Sequence, residues 1–145
     1  MNPGEPLPVE ASASGQARPP RIVCLVDDDP SVRRSVGRLL QSDGFEVLAF
    51  SEPHFFLDYL ANNPVKVAVL DIWMERMTGM ELLAHICSKS PQTRVIFITG
   101  HEDPAAHRTV MGAGAFAFFL KPFDDAEFLN AVRRAFTRSI GGGGM

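Results

Sequence analysis

Cysteine is close to missing from this sequence, with only Cys24 and Cys87 in 145 residues. They form no CxxC pair and have no histidine at metal-ligand spacing, which argues against a zinc module or a disulfide scaffold. Two reduced, buried thiols are predicted instead. Long apolar runs are also lacking, and none approaches the roughly 18–20 residues of a membrane span. The N-terminus has no charged-then-apolar export pattern, so a cytoplasmic protein without membrane contact is expected. Excess positive charge is absent too. A formal net charge of −3 gives no electrostatic footprint for direct nucleic-acid binding. What remains is an ordinary soluble composition, 46% hydrophobic and 21% charged, in a chain long enough for one domain with a real core.

Residues 1–20 carry five of the eleven prolines and almost no large apolar side chains. Such a segment buries too little surface to offset its ordering entropy, so a disordered leader is predicted there. Residues 21–139 are the expected domain, and 140–145 a flexible glycine-rich tail.

The run at 65–71 is the axis of that domain. Its residues are apolar except for Lys66, as suits a strand covered on both faces, and it ends on Asp71. A carboxylate is costly to bury, so Asp71 belongs at the strand's C-terminal lip, where open α/β sheets bind ligands. Alone, it reads equally as a turn or cap residue. A first strand over 22–26 ends on Asp27, Asp28 and Asp29, a trio that also reads as a solvated helix cap. Asp29 with Pro30 then opens a helix with Val32, Val36, Leu39 and Leu40 on one stripe and Gly44 as its stop. Further strands are predicted at 45–50, 94–99 and 116–120. Helices are predicted from about 53, 80 and 104 and after Asp124. Asp124 with Glu127 suggests an acidic capping box. The helix over 104–112 is poor in large apolar residues. Five alternating strands and helices argue for an α/β fold, a parallel sheet between two helical layers with right-handed crossovers.

In a parallel sheet these strands end on one edge, which brings together Asp27, Asp28, Asp71, Thr99 and Lys121. Three converging carboxylates call for a hard divalent cation, and Mg²⁺ is the natural one. A hydroxyl and an ammonium beside them complement phosphoryl oxygens. The set reads as a phosphoryl-transfer pocket with an aspartate nucleophile. Two rival readings fit the site less well. A Mg²⁺-dependent aspartyl-phosphate phosphohydrolase would want a second acid at position 73, which is Trp73. A purely structural interaction module leaves five convergent polar groups unexplained. None of His54, His85, His101 and His107 is spaced for a metal or a nucleophile triad.

Several spaced motifs agree with one family. Val26 precedes Asp27, Asp28 and Asp29, and Leu70 precedes Asp71 in a stretch running through Met77, Thr78 and Gly79. Thr99 is followed by Gly100, Gly114 by Ala115, and Lys121 by Pro122. From about Arg21 to Ser139 the chain resembles a response-regulator receiver domain of two-component signalling, a CheY-like domain. Ile98 to His101 and Leu120 to Phe123 look most like FixJ-type receivers. The resemblance implies a flavodoxin-like (βα)5 three-layer sandwich with strand order 2-1-3-4-5. Asp71 then matches the phosphoacceptor and Asp28 the direct Mg²⁺ ligand. Asp27 matches the acid acting mainly through water, and the Trp73 carbonyl a further ligand. Thr99 matches the switch hydroxyl, Lys121 the phosphate-pairing lysine, Phe118 the switch aromatic and Pro122 the cis-proline.

Two positions depart from the pattern. Glu75 stands where a proline is usual, and Trp73 is unusually bulky, so Trp73 and His101 are expected to tune the site. The family reading implies a sensor histidine kinase as phosphodonor and no turnover enzyme beyond the receiver's own phosphorylation and dephosphorylation. It also implies homodimerisation through the fourth helix, fifth strand and last helix when phosphorylated. Transcriptional output would lie in another region or a partner.

Overall fold

The computed structural model describes residues 20–137. The predicted leader and tail lie outside the described residues. The order is β1 (Ile22–Val26), α1 (Pro30–Ser42), β2 (Glu46–Phe50), α2 (Pro53–Asn62), β3 (Val67–Asp71), α3 (Gly79–Lys89), β4 (Arg94–Thr99), α4 (Pro104–Gly112), β5 (Ala117–Leu120) and α5 (Asp125–Thr137). All pairings are parallel, and the sheet order is β2-β1-β3-β4-β5. This is the expected three-layer fold.

Alternation along the buried strands divides the core in two. Val23 and Leu25 of β1, Val67 and Val69 of β3, and Ile96 and Ile98 of β4 pack with Val36 and Leu40 of α1 and Phe128 and Val132 of α5. Cys24, Val26, Ala68, Leu70 and Phe97 face the other way, onto Phe56 of α2, Leu82 and Ile86 of α3 and Val110 of α4. Each central strand is covered on both faces, which is why it reads as a continuous apolar run.

Local signals act as the sequence suggests. The Asp29 side chain accepts the Ser31 N–H, with Pro30 in the first turn of α1. Gly44, at φ 88°, ends that helix; its N–H and that of Phe45 return to Gln41 and Leu40. Phe45 is therefore spent on the helix stop, and β2 starts one residue later than predicted. Asp124 caps α5 by accepting the Glu127 N–H; of the expected capping box, only this half forms among the described contacts. Cys87 differs from the expectation. Cys24 is buried, and burial pushes its thiol up to about 12, but Cys87 lies on the exposed side of α3. Helical periodicity puts residue 87 beside the buried Ile86 yet off the Leu82–Leu83–Ile86 stripe.

Candidate functional site

Strand register builds the site. Val26 pairs with Leu70, so Asp27 comes alongside Asp71. Asp71 pairs with Ile98 and Thr99 with Leu120, so Thr99 and Lys121 follow in steps along the same edge. The Lys121 N–H donates to the Thr99 carbonyl at 2.7 Å, and the Lys121–Pro122 bond is cis, as expected.

One carboxylate oxygen from each of Asp27, Asp28 and Asp71 falls within 4.8 Å of the others. Full charges about 4 Å apart repel by about 4 kcal/mol at an effective dielectric of about 20. The three residues sit in different surroundings. Asp27 has no exposed surface; its Oδ1 accepts the Asp29 N–H at 2.9 Å, while its Oδ2 is buried without a hydrogen-bond partner. Burial lifts its carboxyl to about 6, helped by the charges of Asp71 and Asp28 and opposed by the Asp29 N–H and Lys121. Asp71 is half-buried, and burial raises its carboxyl too, against the Trp73 N–H, which reaches its Oδ1 at 3.3 Å, and the charge of Lys121. Asp28 is exposed, and its Oδ2 accepts the Glu75 N–H at 3.1 Å. A buried carboxylate oxygen with no donor, beside two more carboxylates, is what an oxygen-seeking divalent cation satisfies. The residues present therefore fit Mg²⁺.

Thr99 is fully buried, and its Oγ1 accepts the His101 N–H at 3.2 Å. Lys121 makes no direct ion pair with the acids among the described contacts, though its charge reaches Asp27 and Asp71. Phe118 is half-buried and lies flat against His107, with ring centroids 4.0 Å apart. Trp73 is 39% exposed and shares a hollow of about 280 Å³ with His101, Glu102 and Asp103. Its side chain thus faces the β4–α4 loop, and the two residues expected to tune the site line one space.

Two supports were assigned no structural role from the sequence, although Thr78 and Gly79 stand in the motif that runs on from Asp71. Thr78 and Glu81 form a reciprocal capping box at the start of α3, a signal legible as Thr-x-x-Glu. Gly79 packs directly behind the end of β3; a Cβ there would overlap the Asp71 carbonyl and meet Phe97 and Ile72 at 2.8 and 2.9 Å. The contacts that require this glycine are made by the end of β3 and by Phe97 of β4, so its packing role shows only in the fold.

A doubly wound sheet with acids, a hydroxyl and a lysine on its C-terminal edge defines a flavodoxin-like domain with a phosphoryl-type site. The chain belongs to the response regulator receiver domains, whose family pattern matches residues 23–133. It is 37% identical over 117 residues to the transcriptional regulatory protein FixJ of Azorhizobium caulinodans, covering 81% of this chain and 56% of that protein. A CheY-like receiver domain from Methanospirillum hungatei superposes with a TM-score of 0.75 at 26% identity, covering 80% of this chain and 93% of that one. The beryllofluoride-activated NtrC4 receiver domain dimer gives 0.75 at 30% identity, covering 79% and 95%. The chain spans about half the length of the regulators it matches. The phosphohydrolase alternative gains no support from these likenesses. No helix among the described residues is long and apolar enough to cross a membrane.

Proposed function

We propose that this receiver accepts a phosphoryl group on Asp71 from the phosphohistidine of a sensor kinase. The observation that carries this is the half-buried Asp71 at the end of the central strand, facing a buried Asp27 whose Oδ2 has no partner. An Asp71 carboxylate oxygen forms the new P–O bond as the donor P–N bond breaks, and the leaving imidazole keeps the electron pair and takes up a proton. Asp27 and Asp28, with Asp71 and the Trp73 carbonyl, would hold Mg²⁺. When bound, the ion supplies charge neutralisation for the acids and the phosphoryl oxygens. Lys121 pairs with the phosphoryl group, and Thr99 donates its hydroxyl to it. The chain assists only its own phosphorylation and hydrolysis.

Thr99 moving inward leaves room for Phe118 to follow, which alters the face formed by α4, β5 and α5. Only Ala106 and Val110 of α4 are buried, so few contacts resist its shift. Leu120 and Met111 are exposed near that face at 39% and 40%, which suits pairing of two phosphorylated copies. The NtrC4 receiver is a dimer when activated, and FixJ is a transcriptional regulator, so output here is transcriptional, through another region or a partner.

Incubation with acetyl phosphate and Mg²⁺ should add one phosphoryl group by mass, mapped to the peptide holding Asp71; no addition, or addition elsewhere, sinks the reading. In sedimentation the labelled protein should show the greater mass. Equal mass for both forms would assign output to a different partner.

Trp73 should lengthen the life of the phosphorylated state. Hydrolysis needs a water in line with the bond to be broken; the Trp73 indole, in the hollow it shares with His101, would crowd that approach, and its N–H only donates. Trp73→Asn should release phosphate several-fold faster, and His101→Ala should not. Unchanged or slower release from Trp73→Asn would refute the obstruction.

A further inference from the structure

We infer that the backbone amide of Glu75 is a positioning group for the divalent cation, acting through Asp28. The inference rests on reading the acidic trio as a cation site. Asp28 is the exposed member of the trio and the one most free to rotate away. The Glu75 N–H holds its Oδ2 at 3.1 Å across 47 residues of sequence and leaves the other oxygen for the ion.

The donor is itself fixed. The Glu75 carbonyl accepts the Met77 N–H at 2.8 Å, closing a tight turn around Arg76 at φ 75°. A residue with a side chain keeps such a φ only where its surroundings hold it. Past the turn, the Thr78 N–H donates to Glu81 Oε1 at 2.9 Å, tying the loop to α3. Arg76 also approaches Glu52, but at 3.7 Å and largely exposed that pair adds little. The amide is therefore presented by a loop that hydrogen bonds tie down at its turn and at the start of α3. Repulsion among three carboxylates favours Asp28 swinging outward, and a fixed donor opposes that before the ion arrives. Less ordering is then left for binding to supply.

A proline at 75 removes the donor, whereas alanine keeps it and removes only the side-chain charge. The test is titration with Mg²⁺ followed by emission of Trp73, the single tryptophan, with thermal melts in EDTA and in Mg²⁺ alongside. Hydrogen-bond partners of metal-binding groups are worth about 10–100-fold in affinity. Glu75→Pro should bind Mg²⁺ about tenfold more weakly, and Glu75→Ala within about twofold of wild type. Equal affinities for the proline and alanine proteins would overturn the inference while leaving the cation site standing. A wild type with no response to Mg²⁺ in either measurement would remove the site itself. Should Glu75→Pro not fold, hydrogen exchange at the Glu75 amide of the wild type decides. Protection supports the inference, and exchange as fast as an open loop amide overturns it.

Discussion

An Asp71→Asn protein should gain no phosphate from acetyl phosphate and Mg²⁺ under conditions where the wild type gains one. The substitution is nearly isosteric and keeps an oxygen to accept the Trp73 N–H, so the loop after β3 should retain its shape. What it removes is the charged nucleophile, since an amide oxygen is a poor attacker at phosphorus. Neither neighbour is a good replacement. Asp27 is fully buried, and Asp28 is exposed and held by the Glu75 N–H. Mass spectrometry should therefore show a drop to background rather than a shift of label to another acid. Labelling equal to wild type would move the acceptor elsewhere. A melting temperature well below wild type would point to a structural cause for any loss.

The polar strand ends were legible because a parallel sheet converts sequence position into place. Val26 before Asp27, Leu70 before Asp71 and Leu120 before Lys121 put each functional group one step past an apolar strand, and the register does the rest. Helix boundaries were legible where one residue type forces them, as with Pro30 and Gly44. What escaped depends on partners distant in the chain. Arg133 forms a paired hydrogen bond with Asp43 at the end of α1, at 2.7 Å from both carboxylate oxygens and 90 residues away. This holds the Asp43 carboxyl below the usual range. The Glu75 amide is invisible for another reason. The chain was seen to depart from the family's proline there, but only the fold shows that the freed N–H points at Asp28. Phe55 likewise lies on a helix rich in aromatics yet remains half-exposed, because α2 turns Phe56 and Leu60 inward.

Asp27→Asn should stabilise the metal-free protein at neutral pH and cancel most of the stabilisation by Mg²⁺. In the folded, metal-free chain Asp27 is buried with an unpartnered oxygen, and its carboxyl titrates at about 6 rather than 3.8. Between those values the folded state holds a proton that the unfolded state has released. Stability through this group is therefore greatest below about pH 4 and falls as pH rises toward 6, then stays low. The two values differ by an amount worth about 3 kcal/mol at most. The neutral amide avoids that cost and still accepts the Asp29 N–H, though its own NH₂ needs a partner in the space Oδ2 occupied, leaving a net gain of about 1–2 kcal/mol. In EDTA the variant should melt several degrees above wild type at pH 7.5, and the gap should close as the pH approaches 4. Mg²⁺ should raise the wild-type melt by mass action and the variant's much less, because one of three charges attracting the ion is gone. Two results would count against the account. One is a variant less stable than wild type in EDTA at neutral pH. The other is a full Mg²⁺ shift in the variant, which would mean the unpartnered oxygen of Asp27 is not what the cation satisfies.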